Sequence, residues 1–207
     1  GDTPANAFTG SLTTTPAVAG AGTYAITQGT LASTRYTFTF VPGDLVINKA
    51  PLTIAAVDRV RAARQDNPVL SVTYTGLVNN DSPAVVNGLQ ISTPANPTSV
   101  PGAYTIFVGG ATADNYDITF VNGTLTVSPL PLTIVANDAT RPAGQANGGF
   151  SATFLGLTQG DTPAAIAGLT LSSPADAASP PGLYPIIPAN GTNPYYAITY
   201  VNGTLVV

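Results

Sequence analysis

The sequence predicts an all-β or β-rich α+β chain built from tandem small modules of about 80 residues, and three observations carry that expectation. The run Phe120-Val121-Asn122-Gly123-Thr124-Leu125-Thr126-Val127 returns one module length later as Tyr200 to Val207, and a looser form, Phe40 to Ile47, stands one module length earlier. Pro-Leu-Thr-Ile follows the two earlier runs in chain order, at Pro51 to Ile54 and Pro131 to Ile134. Threonine occurs 30 times, and Val, Ile, Tyr and Phe are plentiful, whereas Glu, Met and Trp are absent, so helix formers other than Ala and Leu are scarce.

The period divides the chain into a partial module at 1–48 and two complete modules at 49–128 and 129–207. In the partial module, Leu12 to Thr15 and Tyr24 to Thr27 read as strands, and Tyr36 to Ile47 as a hairpin turning at Pro42-Gly43. The second module predicts strands at Leu52 to Ala56, Leu70 to Thr75, Leu89 to Ser92, Ala103 to Val108, Tyr116 to Val121 and Thr124 to Val127. Between its second and third strands, Ser82 can cap and Pro83 can open a single helical turn, and Thr162-Pro163 repeats this in the third module.

Asn122-Gly123 and Asn202-Gly203 tolerate positive φ, so each predicts a two-residue type I′ turn closing a β-hairpin. Alternation then sends Ile118, Phe120, Leu125 and Val127 to one face, and Ile198, Tyr200, Leu205 and Val207 repeat the arrangement. A strand set of this kind suits an Ig-like sandwich or a β-grasp-like module. The proline joints Asn48-Lys49-Ala50-Pro51 and Ser128-Pro129-Leu130-Pro131 are short and restrict the backbone, so the modules are expected to stack as an elongated rod. Such a rod would span on the order of 80–100 Å.

Composition narrows the function classes. Ten Asp against five Arg and one Lys give a net charge of −4, which offers no basic surface for nucleic acid. No run approaches 18 apolar residues, so membrane insertion is not expected. Without His or Cys, and with Lys49 alone in a joint, nucleophilic catalysis is poorly served, and the chain reads as a non-enzyme without cofactors.

The order PLTI, Asp, Asn-Pro, Tyr-Thr-Gly-Leu, Asp-Ser-Pro, Pro-Gly-Ala-Tyr, Asn-Tyr, Phe-Val-Asn-Gly-Thr-Leu-Thr-Val across residues 49–128, repeated over 129–207, resembles the MBG-type repeat of large bacterial surface exoproteins. Such repeats are similar to those that extend filamentous-haemagglutinin-like adhesins secreted by the two-partner route. The resemblance implies an extracellular module at the bacterial cell surface, serving as a stalk that supports cell adhesion and biofilm attachment. Its partners would be neighbouring repeats of the same long chain. The family's usual Tyr-Gly pair is missing after the first strand, where the places read Ala62-Ala63-Arg64-Gln65 and Pro142-Ala143-Gly144-Gln145.

Each candidate site competes with a plainer structural role. Asp58 and Asp138, and nearly in period Asp2, Asp81 and Asp161, could each offer a calcium ligand, but turn and capping roles fit better. No metal site is therefore expected. Arg59, Arg61 and Arg64, with Asp58 and Asp66 nearby, form the one charged patch, which as a ligand site would grip sulfate, uronic acid or a lipid headgroup through forked donors. That is the alternative reading, a glycan- or protein-binding adhesin module meeting extracellular polysaccharide or another cell's surface; a solvated, charge-protected edge strand is the plainer one. Tyr116 and Tyr196 keep the period and belong to the core, while Tyr195 breaks it and reads as exposed.

Overall fold

A computed structural model describes residues 1–15, 20–158 and 160–207 of the chain. It divides into two compact units: residues 1–57, 70–92 and 107–123 form one, and 58–69, 93–106 and 124–207 the other. The strands run in chain order β1 (Thr13–Thr15), β2 (Gly22–Thr27), β3 (Gly43–Ile47), β4 (Ala50–Ala56), β5 (Arg59–Ala62) and β6 (Val72–Thr75). They continue with β7 (Gln90–Ser92), β8 (Gly102–Gly109), β9 (Tyr116–Val121), β10 (Gly123–Ser128), β11 (Leu130–Ala136) and β12 (Ala139–Thr140). The last are β13 (Ala152–Leu155), β14 (Thr170–Ser172), β15 (Leu183–Ala189), β16 (Tyr196–Val201) and β17 (Gly203–Val206). A four-residue helix, α1 (Pro4–Ala7), and 3₁₀ turns at Pro83–Val85 and Pro163–Ala165 are the helical elements among the described residues. The chain is thus all-β and tandem in its modules.

The third module lies wholly in the second unit and shows the plan complete. One sheet has the order β13-β11-β16, with β11 antiparallel to β13 and parallel to β16, so that Leu132 faces Ile198 and Ile134 faces Tyr200. The other has the order β12-β17-β15-β14, with β12 parallel to β17 and β15 antiparallel to it. The chain therefore passes from one sheet to the other twice, from β11 to β12 and from β16 to β17, and the two passing strands run side by side. Each sheet covers its own small core: Leu132, Ile134, Ile166 and Tyr196 under the first, and Ala136, Ala175, Ile186 and Leu205 under the second.

This overturns the predicted hairpins. β16 and β17 do not pair with each other, and neither Asn122-Gly123 nor Asn202-Gly203 adopts a positive φ. The glycine serves a different need. A Cβ built on Gly203 would lie 2.4 Å from the Ala136 carbonyl oxygen, and one on Gly123 would lie 2.8 Å from that of Ala56. Two backbones cross too closely there for any side chain. Asn122 meanwhile accepts the Val108 N–H on its side-chain oxygen at 3.1 Å. Most of the predicted inward set holds, because Leu205 is buried with Ile186 and Ile198 packs with Leu132, so that the two halves of the motif serve two cores. Tyr200 departs from it: the residue is 38% exposed and its hydroxyl donates to the Gly191 carbonyl at 3.0 Å.

At the same crossings the parallel ladder breaks and leaves an N–H without its strand partner. Asp138 Oδ1 accepts the Thr204 N–H at 2.7 Å, and Asp58 Oδ1 accepts the Thr124 N–H at 2.7 Å. These two aspartates, candidates for calcium ligands in the sequence, are pins of the sheet switch. A charged acceptor on a backbone N–H contributes about 1.5–3 kcal/mol at best.

In the first unit β1, β2 and β3 form an antiparallel sheet in which Tyr24 faces Leu45. A second sheet, β6-β4-β9, repeats the through-strand pairing, with Leu52 opposite Ile118 and Ile54 opposite Phe120 on the parallel side. Leu52, Ile54, Val108, Ala113 and Tyr116 make its core. The hairpin expected at Tyr36 to Ile47 does not form, since residues 36–42 carry no strand and β3 begins at Gly43. In the later modules the corresponding residues become a strand by pairing with β4 or β11, and the partial module offers no such strand among the described residues.

Candidate functional site

Each module places a tyrosine hydroxyl on an aspartate. Tyr116 donates to Asp81 Oδ2 at 2.7 Å, Tyr196 to Asp161 Oδ2 at 2.8 Å and Tyr36 to Asp2 Oδ2 at 2.8 Å. The first two hydroxyls also accept a loop N–H, from Val78 at 3.0 Å and Thr158 at 3.1 Å, and so tie a turn to a core ring. The bond to the carboxylate holds the Tyr116 and Tyr36 hydroxyls above their ordinary pKa, Asp81 being the larger cause for the one and Asp2 for the other. Asp81 and Asp161 sit in turns through their own N–H groups, bonded to the Val78 and Thr158 carbonyls. The capping role that the sequence suggests for their side chains is not what these do: Ser82 caps the first helical turn through the Ala84 N–H, and Thr162 makes no cap bond at the second.

The Asp161 pair is the most elaborated. Arg64 from the second module reaches Asp161 Oδ2 through Nη1 at 2.6 Å, with only 22% and 15% of the two side chains exposed. Its guanidinium lies 4.5 Å from the centre of the Tyr195 ring and 6.0 Å from that of Tyr196. Tyr195 in turn donates to the Thr98 carbonyl at 3.0 Å. Tyr195 is therefore half-buried beneath an arginine, not exposed as its break with the period suggested. Arg64 holds the Asp161 carboxyl below the usual carboxylate range, with the Tyr196 hydroxyl as the second cause, and Asp161 holds the Arg64 guanidinium above its own.

Arg64 has a φ of 63°, a left-handed conformation unusual for a long side chain, and Gly144, its equivalent in the next module, has a φ of 79°. The loop geometry is thus one that favours glycine, and an arginine there is strained by roughly 1 kcal/mol or more. Strain of that kind persists where the side chain has something to hold. Here it holds Asp161.

The three arginines read as one ligand patch are separated by their partners. Arg61 is only 7% exposed, and its fork spans three acceptors: Asn67 Oδ1 at 2.8 Å, the Ala62 carbonyl at 3.1 Å and the Asn96 carbonyl at 2.6 Å. Arg59 donates to the Val69 carbonyl at 3.3 Å, and Arg64 faces Asp161. The strand that carries Arg59 and Arg61 is paired, in parallel register with β10. The guanidiniums thus do not form a common anion-gripping face; Arg61 in particular organises a loop.

That loop unit has a sequence signal of its own, which the charged cluster hides. Arg141 repeats the fork onto Asn147 Oδ1 and the Pro142 and Asp176 carbonyls, and Asn147 and Asn67 each donate to an alanine carbonyl at 2.6 Å, Ala175 and Ala95. Arg61 and Arg141, like Asn67 and Asn147, stand one full period apart. Grouping Arg61 with Arg59 and Arg64 by charge conceals that it belongs to a repeated pair.

Through-running strand pairs, a recurrent Tyr-on-Asp bond and a glycine crossing in each complete module describe one repeated unit. A family model described as MBG domain (YGX type) matches residues 1–46, 52–126 and 132–206. The chain belongs to this family and is a tandem array of its repeats. Repeats of the family are typical of large surface proteins. A comparison with curated proteins found no match. Among the described residues no helix is long and apolar enough to cross a membrane.

Proposed function

We propose that these repeats are a stiff spacer of an extracellular bacterial cell-surface adhesin, projecting an adhesive region from the cell and supporting cell-cell and biofilm attachment without catalysis of their own. The observation that carries this reading is the joint inside the second unit. Only Pro129 separates the end of β10 from the start of β11. Around it, Arg64 and Thr98 of the second module meet Asp161 and Tyr195 of the third through an ion pair, a stacked ring and a hydrogen bond. A flexible tether would have no use for a strained arginine, whereas a spacer must fix the angle at each joint. The alternative, a glycan-binding patch of Arg59, Arg61 and Arg64, loses its basis when Arg61 and Arg64 are engaged by internal acceptors.

Small-angle scattering on the 207-residue chain tests the spacer reading. A compact body of that length has a radius of gyration of about 17 Å, whereas stacked modules should reach a maximum dimension on the order of 80–100 Å. A compact value would reject the proposal, and Arg64→Ala with Tyr195→Ala should broaden the distance distribution if the joint sets the angle.

A further inference from the structure

Three tyrosine-bound aspartates can be compared within one chain. Asp2 holds a guanidinium from its own module, Arg35, at 2.8 Å. Asp161 holds one from the neighbouring module, Arg64, at 2.6 Å. Asp81 holds none: among the described residues its side chain receives only the Tyr116 hydroxyl. Arg35, Asn115 and Tyr195 occupy the same place in the three repeats, each just before the tyrosine that bonds the aspartate. Asn115, where the first repeat has its arginine, turns aside to accept the Ala21 N–H at 2.8 Å.

The carboxylate of Asp81 therefore borders an open cleft of about 370 Å³, lined by Gly20, Ala21, Asn79, Asp81, Asn115 and Tyr116, all within the first unit. Its members correspond, in the next module, to the surroundings of Arg64: Asp81 to Asp161, Asn115 to Tyr195 and Tyr116 to Tyr196. Among the described residues the cleft thus has the acceptor and the more distant of the two rings of the Arg64 site, with Asn115 in place of the nearer Tyr195, and no arginine on its carboxylate.

We propose that the cleft beside Asp81 is a receptor for an arginine side chain presented by another polypeptide segment. The guanidinium would take the Asp81 carboxylate as a charge-assisted acceptor and lie near the Tyr116 ring, as Arg64 does with Asp161 and Tyr196. Arginine is favoured over lysine because its planar fork can meet a carboxylate and a ring together, whereas an ammonium is a compact, strongly hydrated point charge. The inference does not depend on the spacer reading, since the site is complete within one unit.

The test is an NMR titration of the 207-residue chain with N-acetyl-arginine methylamide. Saturable shifts are expected at the Asn79 and Asn115 side-chain amides and the Ala21 N–H, with N-acetyl-lysine methylamide binding several-fold more weakly. Asp81→Asn keeps an acceptor for the Tyr116 hydroxyl but removes the charge, and should weaken binding roughly tenfold. Asn115→Arg should place a guanidinium beside Asp81, as Arg35 stands beside Asp2, and so block the added ligand while leaving the fold intact. Shifts that fail to saturate, that are equal for the lysine probe, or that persist unchanged in Asp81→Asn or Asn115→Arg would overturn the proposal.

Discussion

The first and third modules share a tail, Phe40 to Ile47 in one and Tyr200 to Val207 in the other, yet fold it differently. Leu205 is 2% exposed and packs on Ala136 and Ile186, while its counterpart Leu45 is 38% exposed and Val41 is 80% exposed. Residues 196–201 form β16 because β11 lies beside them; residues 36–42, with no such neighbour among the described residues, form no strand. A period-2 apolar pattern is permission to be a strand, and a ladder partner is the cause. The partial module compensates in a small way, with Phe8 edge-on to Phe38 at 5.2 Å and stacked beside Tyr36.

The sharpest test of this difference deletes the same leucine from both. Leu205→Ala should cost about 3 kcal/mol, for the lost burial and the cavity left between Ile186 and Ala136. Leu45→Ala should cost less than about 1 kcal/mol, since much of that side chain is already in water. Hydrogen exchange of the β17 and β3 amides reads the two losses separately. Equal losses would mean that the partial module hides its tail after all.

A second pair of substitutions probes the crossing. Gly203→Ala would push a methyl to 2.4 Å from the Ala136 carbonyl oxygen, and a shift of either strand should cost about 2 kcal/mol. At Gly43 the nearest atom to an added Cβ is Ile26 Cδ1, at 3.9 Å, so Gly43→Ala should be neutral to within about 0.5 kcal/mol. Thermal melts of the two variants, each against the parent chain, check the contrast. It would fail if both glycines proved equally intolerant, for then a turn conformation, and not the crossing of strands, would be what they share.

Glycines of identical appearance and different duty also mark what residues alone reveal. The module period, the strands that flank Asn122-Gly123 and Asn202-Gly203, the inward set Ile118, Phe120, Leu125 and Val127, and the helical turns at Pro83 and Pro163 were all legible, because each is a local propensity or an alternation. The short strands β5 and β12 were not, since Arg59 to Ala62 and Ala139-Thr140 gain their form only from parallel partners far along the chain. Asn-Gly was misread for the same reason. It is a strong local signal for a tight turn, and a close approach between strands distant in the chain leaves no local trace. In the candidate site the tyrosines and aspartates announced themselves by spacing, but Arg64 and Tyr195 break the period, so only the fold could bring them together.

The smallest effect expected is one of pH, and it separates the two ion pairs. Asp2 and Arg35 are exposed, at 28% and 63%, and solvent screens such a pair heavily, whereas Asp161 and Arg64 are largely covered. Because Arg64 and Tyr196 depress the Asp161 pKa in the folded chain, its contribution is fully present above the ordinary carboxylate value of 3.8. It is lost as pH falls below 3.8 through the depressed folded value, where the carboxyl takes up a proton. Urea midpoints of the parent chain and of Asp161→Asn, followed by tyrosine fluorescence, should therefore differ by a constant amount from roughly pH 5 to 7 and converge at lower pH. Asp2→Asn should barely move the midpoint at any pH in that range. If Asp161→Asn behaved like Asp2→Asn, the covered pair would be no stronger than the exposed one, and the joint at Pro129 would rest on Tyr195 and the backbone alone.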